Sequence, residues 1–570
     1  MKKSKRQQRA EVAAPTIRQR QTQGWLWLAA VAGLFAVFYV YSPALSGAFV
    51  LDDRYLPFLS PNIQGVPLSS WIVSNRPLLM FSYWLNYQWS GTDTGSYHVV
   101  NVLLHFCGSV VLAFIAARLM EMAGVKGRTR AVLSIFAGGL FLLHPLQTES
   151  VAYVASRSEA LSVLLYYSAF AVFLYRSGDP VTPLRILAIL ALSAAALATK
   201  EHTLTLPLLL LLTDLFWNPG GVRRNRLLYG IMAALGAVGG VIVWRVVHAS
   251  PTTGFRLGEI TPVTYFLTQG RVIWTYVRLF FLPFGQNLDP DIQLSHGLLD
   301  YGGVLGLLAL GGLAAGAWIY RKRWPLASYG VFVFLLLLAP TSSAIPILDV
   351  FAERRLYLPF LGLILVCLEF MRRLDVSRAT WVGVAVLAVC SVLTYHRSQV
   401  WASPLTLWQD AASKSPQKLR PRFQLAYAYY EEGNCALAAD NYETASHLAP
   451  PKVDLLVDWG LALNCAGQAQ PALEKLQQAS TMERSAHVEA EIGMLYAKQA
   501  KWQESLTALA EAEKIDPRFE MTYVYRGNVY EVAGDLAAAL SEYKKALAIN
   551  PTNSVARDAV TRASKAPASQ

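Results

Sequence analysis

The sequence predicts an all-α fold: a polytopic membrane body of about eleven transmembrane helices, followed by a C-terminal solenoid of paired helices. Two observations predict the body. Of 570 residues, 54% are hydrophobic and mean hydropathy is positive, which is too apolar for an ordinary soluble domain. Apolar runs of spanning length also alternate with short Arg/Lys clusters. The third observation predicts the solenoid: beyond Lys418, small residues return every 33 or 34 positions.

The elements follow in order. Residues 1–24 form a basic tail (Lys2, Lys3, Lys5, Arg6, Arg9) that stays on the cytoplasmic side. The first span runs from Trp25 to about Tyr41; no small-residue cleavage site lies at a convincing distance, so it reads as a retained span. Further spans are expected at 97–117, 130–144, 158–176, 184–199, 203–217, 227–248, 301–320, 326–344, 356–371 and 380–396, within a membrane domain of residues 25–400. The apolar stretch 264–284 carries Arg271 and Arg278 and reads as an interfacial or re-entrant helix. This count leaves every basic cluster inside and places loops 46–96, 145–157, 249–300 and 345–355 outside. It also places the C-terminal part outside. The net charge of +12 is therefore a topology signal, and no nucleic-acid partner is expected.

Residues 401–418 read as a linker, 419–553 as four repeats and 554–570 as a disordered tail. Ala426, Gly460, Gly493 and Gly527 mark the register, and large residues Tyr442, Leu476, Leu509 and Tyr543 follow sixteen positions later. Pro450, Pro517 and Pro551 close three units. The pattern resembles the tetratricopeptide repeat, which presents a concave surface to peptide or protein. Cys107, Cys367 and Cys390 read as core residues. Cys435 and Cys465 read as unpaired packing thiols, with a disulfide open to them in an oxidising compartment.

The polar residues at the outer loops are the candidates for chemistry, because burying them near a membrane is expensive. Asp52 and Asp53 follow the first span; a carboxylate there can take the proton of an attacking hydroxyl, and a second can orient the acceptor or hold a cation. The plainer alternative is an acidic pair capping a loop helix. Arg76 and His98 share that loop. The next outer loop offers His144, Glu149 and Arg157; on one helix Glu149, Tyr153 and Arg157 would share a face, so Arg157 meets either a lipid phosphate or Glu149. Lys200, Glu201 and His202 follow the fifth span. Glu353, Arg354 and Arg355 precede the tenth; two outer arginines oppose the charge rule and ask for an anion, and arginine binds phosphate bidentately. Glu353 orients one of them. Asp289 and Asp291 read as a solvated loop. No phosphate loop, zinc ligand set or nucleotide fingerprint stands out. An outward-facing enzyme would draw its activated group from a lipid carrier.

Taken together, Phe49-Val50-Leu51-Asp52-Asp53, Asn75-Arg76-Pro77-Leu78, Tyr97-His98 through Leu104-His105, Leu143-His144-Pro145 with Thr148-Glu149-Ser150-Val151 and Ser156-Arg157-Ser158-Glu159, Thr199-Lys200-Glu201, and Ala352-Glu353-Arg354 with Leu356-Tyr357-Leu358-Pro359 resemble the transmembrane and tetratricopeptide-repeat O-mannosyltransferases, whose animal members modify cadherins. The resemblance covers roughly residues 45–360 and continues in the repeats. It implies a GT-C type membrane fold. It further implies a polyprenyl- or dolichyl-phosphate sugar donor and inverting transfer to Ser or Thr hydroxyls, with Asp52 or Asp53 as general base. The chain departs from the family in a short repeat array and a brief first loop, which bears on the acceptor more than on the chemistry.

The expectation is a multi-pass glycosyltransferase, of mannosyltransferase type by the resemblance, of a bacterial inner membrane with its repeats on the periplasmic side and an undecaprenyl- or dolichyl-phosphate sugar as donor. Arg76, Arg157, Lys200, Arg354 or Arg355 would hold the phosphate; His98, His144, Glu149, Glu201 and Glu353 would support them. A divalent metal is compatible with the carboxylates but not specified. The repeats would recruit the acceptor protein. The rivals are an O-oligosaccharyl ligase or polymerase, a transferase modifying lipid or glycan, and a non-catalytic membrane-anchored scaffold.

Overall fold

The computed structural model describes residues 17–60, 63, 65–176, 178–249, 251–255, 257–258 and 260–565. Most of the expected basic tail lies outside the described residues. Among those described, the chain is all-helical, with a single isolated bridge between Thr253 and Ile347 and no extended strand. It forms two compact units. The first holds the chain before Ser60 with Gly65–Leu288 and Ile292–Ser403; the second holds Ser60–Gln64, Asp289–Asp291 and Pro404–Gln570.

Every apolar run read as a span in the first unit is a helix, but the helices differ in reach. Six are long and apolar enough to cross a membrane: Trp27–Ala44, Thr94–Met122, Val154–Leu174, Arg226–Arg245, Asp300–Ile319 and Val376–Val400; a bent pair, Gly127–Leu143 with Pro145–Ala152, would make seven. The count of eleven is therefore not met on length. Four expected spans are short: Pro183–Leu197, Leu206–Trp217, Pro325–Leu338 and Phe360–Met371. At 1.5 Å per residue, a 12-residue helix covers about 18 Å against a hydrocarbon core of about 30 Å. Proline sets three of the four boundaries. Pro207 sits in the first turn of its helix, Pro340 stops the helix that ends at Leu338, and Pro359 delays the start at Phe360. The stretch expected to lie at the interface is a 20-residue helix, Pro262–Phe281, with Tyr265, Thr268, Gln269 and Tyr276 buried.

Close backbone approach replaces bulky packing between two of the short helices. A Cβ at Gly362 would lie 2.5 Å from the Gly330 carbonyl oxygen. Only glycine at both positions lets Pro325–Leu338 and Phe360–Met371 meet this closely, the small-residue packing typical of membrane helices.

In the second unit, four helix pairs follow one another: Leu419–Glu431 with Cys435–Leu448, Val453–Cys465 with Ala469–Met482, Ala486–Lys498 with Trp502–Ile515, and Glu520–Val532 with Leu536–Ile549. The small residues lie under the large ones sixteen positions on: a Cβ at Gly493 would come within 2.7 Å of Leu509. Four expectations are corrected here. The linker contains a helix, Pro404–Lys414, whose Leu407, Trp408, Ala411 and Ala412 are buried. The tail expected to be disordered contains the helix Ser554–Lys565, with Ala556 and Ala559 buried. Cys435 and Cys465 are joined, their Cα atoms 5.6 Å apart, because the first residue of one helix and the last of the next fall side by side. Asp289, read as part of a solvated loop, is buried and accepts from Lys418 Nζ at 2.5 Å and Arg420 Nε at 2.6 Å.

Candidate active site

Four loop segments far apart in sequence converge at one end of the first unit. The first is the 3-10 turn Leu51–Tyr55, which gives the two aspartates opposite fates. Asp52 is exposed, and its backbone N–H donates to the Tyr153 hydroxyl at 2.9 Å. Asp53 is fully buried; its Oδ2 accepts from Val50 N–H at 3.1 Å and its Oδ1 from Ala155 N–H at 2.6 Å. Asp53 thus ties the first loop to the 154–156 turn. Burial pushes its carboxyl up to about 7, against the two backbone donors that favour the charged form.

The second segment is residues 144–159. The helix expected to carry Glu149, Tyr153 and Arg157 on one face does not exist as one element. Thr148–Ala152 ends at Tyr153 (φ −84°, ψ 118°), a 3-10 turn covers Val154–Ser156, and a new helix starts at Arg157. Glu149 and Arg157 therefore do not pair. Glu149 takes Arg354 instead, accepting from its backbone N–H at 3.0 Å and from its Nη1. Arg157 is fully buried among neutral acceptors: Asn101 Oδ1 at 2.9 Å, Asn86 Oδ1 at 2.7 Å, the Tyr97 carbonyl at 3.1 Å and the Ser82 carbonyl at 3.2 Å, with Tyr83 under its guanidinium at 4.6 Å. A side chain so enclosed cannot reach a lipid phosphate without unpacking, so its expected place in the phosphate set is corrected to that of a structural clasp.

The third segment is Lys200–Thr205. Lys200 Nζ donates to Glu159 Oε1, and His202 Nε2 lies 3.7 Å from Glu159 Oε2. Burial lowers Lys200 from its usual range, with Glu159 pulling the other way. Burial also takes His202 down to about 4, so it is neutral at pH 7. Arg76 grips Glu201 through two parallel bonds of 2.9 Å. Burial of Glu201 opposes its charge, but Arg76 more than offsets this and holds it below the usual carboxylate range.

The fourth segment is Glu353–Leu356. Arg354 is partly exposed, and only its Nη1 and backbone N–H are engaged by Glu149. It lies close enough to Tyr153, Glu159 and Lys200 to act on each electrostatically. Arg355 turns away from this group and donates to the Asp349 and Val350 carbonyls and the Tyr265 hydroxyl. Glu353 does not orient either arginine. It is buried, accepts from Gln286 Nε2 at 2.7 Å and Asn287 N–H at 2.8 Å, and has Arg397 Nη2 4.0 Å away. Burial pushes Glu353 up to about 7, with Arg397 opposing.

The two expected histidines brace the backbone. His98 Nε2 bonds the Gly47 carbonyl at 3.1 Å; His144 Nε2 bonds the Phe280 carbonyl at 3.0 Å and its Nδ1 accepts from Leu146 N–H. Among the described residues, no three His, Cys, Asp or Glu side chains gather as a metal set. Asp52, Arg76, Lys200 and Arg354 are thus brought to one region, with Glu149, Glu159 and Glu201 behind the cations. The sequence reading gave Tyr153, Glu159 and Arg397 no roles. Arg397 carried a signal: it follows the last expected span on the outer side, where the charge rule disfavours it.

A tetratricopeptide-repeat family model matches residues 521–553. Along most of its length the chain resembles named O-mannosyltransferases. It is 23% identical to the protein O-mannosyl-transferase F38B6.6 of Caenorhabditis elegans, over 72% of this chain and 61% of the relative. It is 24% identical to human protein O-mannosyl-transferase TMTC1, over 75% of this chain and 56% of the relative. The chain thus spans about six-tenths of the length of these relatives. The solved tetratricopeptide-repeat protein TTC0263 of Thermus thermophilus is 22% identical, covering 32% of this chain and 95% of that one, with a TM-score of 0.26.

Proposed function

We propose that this chain, a relative of the transmembrane and tetratricopeptide-repeat O-mannosyltransferases, moves one sugar from a polyprenyl-phosphate donor to a Ser or Thr hydroxyl on the outer side of a membrane. The observation that carries this reading is the convergence of Asp52 and Arg76 from the first loop with Lys200 and Arg354 from two others. It sets an exposed carboxylate beside cations that still have donors to give.

Asp52 is the base in this reading. It alone of the pair is exposed, so it alone can meet an incoming hydroxyl without unpacking. Its carboxylate takes the proton of the acceptor Oγ as that oxygen attacks the anomeric carbon from the face opposite the phosphate. The bond from that carbon to the phosphate oxygen breaks, and polyprenyl phosphate leaves with inversion at the sugar. Arg354 and Lys200 stabilise the leaving phosphate, which gains charge in the transition state. Arg354 has its Nε and Nη2 edge to offer, and Lys200, already pulled down by burial, gains from an arriving anion. Asp53 positions Asp52 by fixing the turn both belong to. The repeats hold the acceptor chain.

Turnover of a purified polyprenyl-phosphate-linked mannose onto a Ser/Thr peptide tests the assignment. Asp52→Asn should lower the rate roughly 10²–10⁴-fold, the usual worth of a general base, with the melting temperature unchanged. Asp53→Asn should lower both rate and melting temperature, since an amide offers one acceptor oxygen to two backbone donors. Arg354→Lys should keep part of the activity and Arg354→Ala almost none, the loss showing in donor dependence. Wild-type turnover in Asp52→Asn would remove it as the base.

A further inference from the structure

The helix Thr94–Met122 runs from the candidate site to the opposite end of the first unit; its 29 residues separate the two ends by about 40 Å. At that far end the chain turns through Gly124 and enters the helix Gly127–Leu143. Here an open cleft of about 320 Å³ is lined by Gly124, Val125, Lys126, Thr129, Arg372 and Arg373. That volume falls in the range of small-ligand sites.

The cleft is positively charged beyond what the fold needs. Glu369 is fully buried and is shared by Arg372 Nε and Arg373 Nη2, each at 3.0 Å. Two guanidinium groups on one carboxylate leave a positive charge over. Exposed Lys126 adds another, and no ion pair among the described residues engages it. Arg372 Nη1 also donates to the Ala123 carbonyl at 3.0 Å, which clamps the turn against the end of Phe360–Met371 and fixes the cleft wall. Thr129 supplies a hydroxyl. The same wall carries the first turn of Gly127–Leu143, which holds no acidic residue and no side-chain cap, so its N–H groups add to the attraction for an anion. Basic residues that served topology alone would need neither a cleft nor a shared buried carboxylate.

We infer that this cleft binds a phosphate-bearing anion, either the headgroup of an anionic phospholipid or free phosphate. Two excess charges, a hydroxyl and backbone donors around an open cavity are what such a group engages. The test uses the full chain. Native mass spectrometry of protein from nanodiscs of equal phosphatidylglycerol and phosphatidylcholine reads lipid retention. Calorimetric titration with inorganic phosphate in neutral detergent reads the free anion. Lys126→Ala with Arg373→Ala is the informative variant, because both side chains are exposed and Arg372 keeps its clamp; its melting temperature should stay within a few degrees of wild type. Thr129→Glu, which places a carboxylate at the cleft, is the second. A tenfold preference for phosphatidylglycerol that both variants abolish establishes a lipid headgroup as the ligand. Phosphate binding that both variants abolish, without a lipid preference, establishes the free anion. If neither binding is present in wild type, or both survive the variants, the site does not exist.

Discussion

Two neighbouring aspartates with opposite exposure show how little a residue's type says of its role. Asp53 and Glu353 lie outside the spans, and burial pushes each up to about 7 from 3.8 and 4.5. The folded state therefore holds these protons more tightly than the unfolded chain does. The stability they lend is present in full below about pH 4 and is lost as pH rises through 7. Melting curves of the solubilised protein from pH 4 to 8 should show wild type losing ground to Asp53→Asn and Glu353→Gln as pH rises. A difference that stays flat, or grows the other way, would count against buried, proton-holding carboxylates. Arg157 makes the complementary case. Arg157→Met should destabilise by about 3 kcal/mol or more, since it strands Asn101, Asn86 and two carbonyls without a donor. The surviving folded fraction should show an unchanged Michaelis constant for the donor lipid; a raised one would return Arg157 to the phosphate site.

Helices were legible in the sequence where apolar runs were long, and their ends were not. Proline decided the difference: Pro207, Pro340 and Pro359 shorten runs whose hydropathy alone reads as spanning. The broken stretch from Glu149 to Arg157 was misread for another reason. Its helical spacing is sound, but Asp53, about a hundred residues away, caps the turn that interrupts it. The charged residues of the site were legible one by one, and their pairing was not. Arg354 with Glu149, Arg76 with Glu201 and Lys200 with Glu159 join loops 41 to 205 positions apart. The repeat register was legible because packing there is local and periodic. The disulfide inside it makes a prediction on that scale. Cys435 and Cys465 close a loop of 30 positions, worth about 3–4 kcal/mol by loop-closure entropy. Cys435→Ser should lower the melting temperature of the repeats by several degrees in non-reducing buffer and by none after full reduction; equal loss in both would show that the bond is absent.

At the scale of the whole molecule, charge, chemistry and redox state make the same demand on topology. Under the proposed function, the charge rule puts the basic clusters between helices, such as Arg321 to Arg323 and Arg372 with Arg373, on the cytoplasmic side. Arg354 and Arg397 oppose that rule, and each has a buried carboxylate within reach, Glu149 at one and Glu353 at the other. Such compensation is what an outer-facing site requires of its cations. A joined cysteine pair is stable in an oxidising compartment and rare in a reducing one, and the proposed function asks for the repeats on the same side as the site. Under that proposal, with the basic tail on the cytoplasmic side, the number of crossings has to be odd. The six long helices alone would not; with the bent pair there are seven, and with all four short ones eleven. A reporter that is active only in the cytoplasm, fused behind the repeats, should be silent, whereas one joined after Arg323 should be active. Thiol labelling of intact cells should find the Cys435–Cys465 pair only after reduction. An active reporter behind the repeats would make the count even. It would also separate the repeats from the Asp52 loop and end their role in presenting the acceptor.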